Sequence, residues 1–330
     1  MRLFALILLL ILPAAPVQSQ TVEQVRSMAA WALEISDYSE QTISLFMQAD
    51  EADLISSQYL EGEITQAEAL QQLDSLAADI DAALRASRSR ALSLSQSPSG
   101  LHPRFERMMV HMEPLPPTLH NSVAEFMNIS LDYFRNEING SDTDYERYYM
   151  ARFQVLGAYA HSIGQVNSAS AESVSSENPN HFYLKSMGAN FRMTALVFEL
   201  ARRRLGGEPA RGTPRDIPAA FAEELALVRE NTALGRNALT TMLVNLTAQV
   251  DNSQGLERSR WELLVEVMES LPEAFDNEEV AYQLFENYDQ RVQPAQDWDA
   301  FDAYVLELAD YEERRDSLML ERQRMIASMQ

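Results

Sequence analysis

The sequence predicts an all-α protein with no β-sheet: a long N-terminal antiparallel helical hairpin followed by a larger multi-helix bundle. Three observations carry this. Apolar residues recur by three and four through most of the chain. Ser, Thr, Asp or Asn stands before many of these runs, several times with an acid or amide three residues on. No run keeps the period-two alternation of a strand.

Composition narrows the function classes. A formal charge of −23 repels the phosphates of nucleic acid and of anionic lipid. The chain has no cysteine, so neither disulfides nor a lipid-anchor cysteine is available and stability rests on burial. Residues 1–19 read as a signal peptide. Arg2 is the charged start, Leu3 to Leu12 the apolar run and Pro13 to Pro16 the break, with small Val17 and Ser19 before a cleavage site at Gln20. Ten apolar residues are too few to span a hydrocarbon core. Lys185, Arg192 and Glu199 interrupt the one later candidate, so no membrane insertion is expected once the signal is removed. The expectation is an acidic exported protein, periplasmic or secreted, of roughly 310 residues, enough for one large or two modest domains.

In order, Thr21 and Gln24 form a capping box opening a helix that carries Ile35, Ile43, Phe46 and Ile55 to about Leu60, where Gly62 breaks it. Thr65 and Glu68 form a second box. Leu70, Leu73, Ala77, Ile80 and Leu84 then alternate by three and four, a coiled-coil-like seam. These two helices make the hairpin, residues 20–95, and Ser93 to Gly100 is the linker to a bundle over 101–330. A short helix spans Arg104 to Met112, stopped by Pro114, Pro116 and Pro117. Leu119 to Ile138 is the next, ended by Asn139-Gly140. Ser141 or Asp142 caps a helix running to about Val166, on which Gly157, Ala160 and Gly164 thin one face for a close neighbour. Asn167 to Glu177 reads as a loop.

Asn178 caps, Pro179 opens and Gly206-Gly207 ends a helix of about 40 Å. It is apolar nearly all round, so it belongs at the centre of the bundle. Pro218 to Val250 holds the longest seam, through Phe221, Val228, Gly235, Leu239 and Leu246. Leu256 to Leu271 follows, closed by Pro272. Asp276 with Glu279 caps the next, and Asp297 starts a last helix whose stripe of Tyr304, Leu308, Tyr311 and Leu318 includes Arg315.

No nucleophile elbow, P-loop, dinucleotide fingerprint or His-Glu-x-x-His occurs. Four places could hold chemistry. Met108, His111 and Met112 share a short helix, and thioether with imidazole suits copper(I); the plainer reading makes the methionines core filler. Tyr145, Tyr149, Tyr159, His161 and Arg192 belong to a tyrosine-rich middle that could line a ligand pocket, though such tyrosines equally fill bundle cores. Arg192, if buried, needs a carboxylate from another helix or an anionic ligand, while Glu199 reaches Arg203 at four residues' spacing. Asp142 to Glu146 resembles a calcium loop but has Arg147 where glycine is required, so capping explains it better.

The expected function is therefore non-enzymatic protein–protein interaction, as an adaptor, assembly factor or chaperone-like scaffold. The hairpin seam and the last helix are the surfaces for protein partners, unless they pack on the protein's own bundle. The alternative is a bundle that binds a small ligand or metal.

Overall fold

The computed structural model describes residues 19–99, 105–210, 212–292 and 298–327. The expected signal segment lies outside these except for Ser19, and so do His102, Pro294 and Asp297. Every regular element among the described residues is helical. They are α1 (Ser19–Met47), α2 (Ala49–Leu60), α3 (Gln66–Leu94), α4 (Glu106–Met112), α5 (Leu115–Ile138), α6 (Tyr145–Ala171), α7 (Pro179–Arg204), α8 (Ile217–Asn252), α9 (Gly255–Glu269), α10 (Leu271–Asn287), a π-helical turn (Tyr288–Val292) and α11 (Trp298–Ala327). No helix among the described residues is long and apolar enough to cross a membrane.

The caps follow side-chain chemistry. Thr65 accepts from the Glu68 N–H while Glu68 reaches back to the Thr65 N–H at 2.8 Å, the reciprocal box the sequence announces. Asn178 accepts from the Asn180 N–H at 3.0 Å, and Gly206, at φ +84°, makes the left-handed turn after α7. Elsewhere the boundaries move. The first expected helix is two, α1 and α2, with a turn at Gln48 where its N–H bonds the Leu45 carbonyl. Pro116 and Pro117 do not stop a helix; they sit in the first turn of α5, where their missing N–H groups have no intrahelical role. Asp144, not Ser141 or Asp142, caps α6.

Helix α6 continues to Ala171 because Val166, Ala169 and Ala171 are buried against its neighbours, so packing keeps a polar run helical, and Ser170 satisfies its hydroxyl on the Val166 carbonyl at 2.7 Å. Asp276 caps nothing: α10 begins at Leu271, with Pro272 in its first turn, and Asp276 instead pairs with Arg236 at 2.7 Å.

Helix α7 is the axis. Nineteen of its 26 residues are buried, and it packs along α6 and α8 and against α10. Its approach to α6 is close because Gly164 faces Gly188: a Cβ on Gly164 would lie 2.9 Å from the Gly188 carbonyl oxygen. The apolar residues gather in three clusters. One joins α1, α4, α6, α7 and the α8–α10 region, and a second joins α7, α8, α10 and α11. The third sets Phe46, Ile55, Leu73, Leu76 and Ile80 of α1–α3 against Leu119, Val123, Phe126 and Phe134 of α5. Polar ties reinforce it: the Tyr38 hydroxyl lies 3.2 Å from His120 Nδ1, Ser56 donates to Glu137 at 2.6 Å, and Arg135 pairs with Asp74 at 2.8 Å.

Candidate functional site

The site begins with the outward stripe of α6. Arg147, Ala151, Gln154, Ala158, His161, Gln165, Ser168 and Glu172 alternate by four and three, which keeps them on one face. All eight line three adjoining recesses of about 370, 730 and 250 Å³. The first two recesses share Ser122, Gln154, Arg202 and Glu208, and the last two share Gln165. Together they form a groove whose floor is α6. From Arg147 to Glu172 it runs about 37 Å at the helical rise. One wall is α5, through Thr118, Ser122, Glu125 and Ile129, continued by Arg107, Val110 and His111 of α4. The other is α7, with loop residues 206–210 and 212–214 and the start of α8.

Ion pairs hold that second wall. Arg192 forks onto Glu224 of α8, Nε to Oε1 at 2.6 Å and Nη2 to Oε2 at 2.7 Å, and its remaining nitrogen donates to Ser168 and to the Gly164 carbonyl. The carboxylate that a half-buried arginine requires thus comes from another helix. Glu199, 6% exposed, accepts from Arg202 Nε at 3.0 Å and Arg203 Nε at 2.7 Å. The same carboxylate takes the Ala210 N–H at 3.2 Å, while Arg203 holds the Pro214 carbonyl at 2.8 Å. Those contacts pin the loop over the groove. Burial alone would raise the Glu199 carboxyl; the bonds from Arg203, Ala210 and Arg202 together bring it below the usual range.

Between Arg147 and Glu172 at its ends the floor carries no formal charge and is polar. His161 is exposed, with its Nε2 3.5 Å from the Gln165 amide nitrogen. Desolvation first, and then the charge of Arg192, hold its imidazole below the usual histidine range, so it is neutral at pH 7. Four arginines (107, 147, 192, 202) stand against five glutamates (125, 172, 199, 208, 224) along the whole groove. That near balance sets it apart from a chain at −23.

Of the residues singled out for a ligand, the structure brings His161 and Arg192 together in the central recess. Tyr145 and Tyr149 lie elsewhere, ring against ring at 4.4 Å, and Tyr149 continues into Tyr148 and Phe153. Tyr159 sits on another face of α6, half-buried near Arg315, Glu312 and Asp316, and burial pushes its hydroxyl well up. Met108 and Met112 are buried in the core, where Met108 Sδ lies 3.0 Å from the Ser170 hydroxyl oxygen. His111 lines the smallest recess with Arg107 and Gln165, and neither methionine does. Among the described residues no three His, Cys, Asp or Glu side chains converge as a metal site would need.

Sequence reasoning missed Gln154, Ala158, Gln165 and Ser168. Their signal is the strict four–three spacing, which on a polar face passes for ordinary solvated surface. Comparison of the chain with family models, with curated proteins and with solved structures finds no match.

Proposed function

We propose that this protein is an exported, non-enzymatic binding protein, an adaptor or chaperone-like scaffold, that holds an extended segment of a partner polypeptide in the α6 groove. The observation that carries the reading is the uncovered α6 stripe, some 37 Å long, in which Arg147 and Glu172 bracket two amides, an imidazole, a hydroxyl and two small side chains. An extended chain has free backbone N–H and C=O groups and needs such partners; a helix has satisfied its own and seeks an apolar floor. About eleven extended residues fit the length. Ala151, Gly157, Ala158 and Ser162 leave room for their side chains, and the acidic body favours segments carrying Lys or Arg.

A binding role also suits the chemistry of the groove. Its buried carboxylates are tied to guanidinium groups, and His161 faces an amide where a general base would need an orienting carboxylate. The N-terminal hairpin over 20–95 enters the proposal as a support for the α5 wall, since Leu73, Leu76 and Ile80 are buried against it. Export directed by residues 1–19 would place the groove in the periplasm or outside the cell.

Screening a library of eleven-residue peptides against the protein and its Ala158→Trp variant tests the proposal. Peptides retained by the parent and lost by the variant, with affinity also falling for Arg147→Ala and Ser168→Ala at the two ends, are the expected result. Binding lost only through Ala158→Trp would mark a small ligand confined to the central recess. Retention that Ala158→Trp does not change would remove the groove from the function.

A further inference from the structure

The central recess of the groove is larger than an extended backbone needs. It holds about 730 Å³ against 370 Å³ for the recess over Arg147, and falls in the ~300–1,000 Å³ range of ligand pockets. Small residues of three helices leave the hollow: Gly157 and Ala158 of α6, Ala195 of α7 and Ala220 of α8. Phe153 and Leu196 complete an apolar base, and the Phe153 ring already meets Phe198 and Phe301 at centroid distances of 6.0 and 5.7 Å. The rim is polar and uncharged, with Ser122, Gln154, His161, Ser162 and Gln165 offering donors and acceptors. The deeper charges are already paired. Arg192 holds Glu224, and Arg202 gives Nε and Nη2 to Glu199. Arg202 is 8% exposed, and its Nη1 has no partner among the described residues, at the junction with the recess over Arg147. Of the carboxylates that line the central recess, Glu208 alone has no ion pair among the described residues, and it is exposed on the loop.

We infer that the central recess anchors one tyrosine or tryptophan side chain of the segment held in the groove, which rests on the groove being a polypeptide site. The lining chooses the ring. A charged side chain would lose its water among groups whose opposite charges are already paired. An aliphatic one would match the base but cover the rim amides and hydroxyls without replacing their hydrogen bonds to water. Tyrosine and tryptophan join an apolar body to a polar tip. The ring then lies on Phe153 and the small residues, extending the aromatic contacts already made there, while its hydroxyl or N–H meets the amides and imidazole of the rim. Arg202 Nη1 supplies a donor for a backbone carbonyl of the segment as it passes to the next recess.

Two probes separate the anchor from the groove. N-acetyltryptophanamide, neutral and one residue long, reports on the recess alone. Libraries of eleven-residue peptides with the central position fixed as Trp, Tyr, Leu, Lys or Ala report on the segment. The amide should bind with a dissociation constant of the order of a millimolar and shift the methyl resonances of Ala158 and Ala195. The Trp and Tyr libraries should bind roughly thirtyfold more tightly than the Ala library. Ala158→Leu should abolish both effects with the melting temperature unchanged, since Ala158 is half-buried at the recess. Arg147→Ala should weaken the libraries and leave the amide alone. Equal retention of all five libraries overturns the anchor while the groove stands. Leu or Lys libraries as tight as Trp overturn the chemistry assigned to the recess, and a Trp preference that survives Ala158→Leu puts the ring elsewhere. Binding of the amide with no library retained would overturn a polypeptide as the bearer of the ring, and the polypeptide groove with it.

Discussion

Glu278 shows how a single residue can govern the behaviour of the core. It is fully buried between α7, α10 and α11, accepting from Asn190 and, at 3.3 Å, from the Tyr311 hydroxyl. Arg315, 2% exposed, lies nearby with its guanidinium 4.2 Å from the Phe191 ring centroid. Burial pushes the Glu278 carboxyl up to about 7, against Arg315, Asn190 and Tyr311, which pull it down. The folded chain thus holds this proton more tightly than the unfolded one, whose carboxyl titrates near 4.5. The stabilisation is complete below pH 4.5 and fades as pH rises through about 7. The span amounts to about 3 kcal/mol. Glu278→Gln keeps the shape and removes the proton, and the free Asn190 Oδ1 gives the new amide an acceptor. Denaturant midpoints across pH 5 to 9 or so should fall for the parent relative to the variant. Parallel curves would show that Glu278 does not titrate in this window.

At the scale of elements, the α6–α7 crossing separates two glycines that the sequence cannot tell apart. A Cβ on Gly164 would stand 2.7 Å from Arg192 Cγ and 2.9 Å from the Gly188 carbonyl oxygen, whereas one on Gly157 meets nothing nearer than 3.5 Å. Gly164→Ala should therefore cost about 1–3 kcal/mol as the helices are forced apart. Gly157→Ala should gain up to ~1 kcal/mol from helix propensity. Thermal unfolding of the two variants checks the ordering, and an equal response would mean the crossing is looser than these distances. The thin face itself was legible, as were the Thr65 and Asn178 caps, since small residues and cap chemistry act locally. What misled was also local. Proline reads as a helix stop, yet Pro116, Pro117 and Pro272 each sit in a first turn. Asp276 and Glu279 spell a capping box in the middle of α10, because letters three apart look alike at a start and in an interior. The Ser- and Asn-rich end of α6 reads as loop, but Asn167 and Ser170 are buried in helix.

For the whole molecule, the all-α class was legible because helical periodicity is written into nearly every stretch. The groove was not, since residues 107–111, 118–129, 147–172, 192–210 and 212–224 form it jointly and no window contains their relation. Arg192 is the intermediate case: its need for a carboxylate follows from burial, while Glu224 as the answer follows only from packing. The same reasoning bears on whether residues 101–330 could stand alone. Leu119, Val123, Phe126, Met127, Leu131 and Phe134 of α5 are all under 8% exposed, packed against α1–α3 and, through Tyr148 and Val155, against α6. Stripping α1–α3 from that face, at up to about 1.5–3 kcal/mol for each side chain fully uncovered, forfeits a large part of a domain's whole stability of ~5–15 kcal/mol. The Tyr38–His120, Ser56–Glu137 and Asp74–Arg135 ties go with them. A chain of 101–330 alone should consequently bind hydrophobic dye, aggregate and lack a cooperative melt, and adding the 20–95 segment back in trans should restore one. If 101–330 instead melts as sharply as the intact protein, the α5 face does not need its N-terminal cover, and the hairpin is a separate domain resting on a finished bundle.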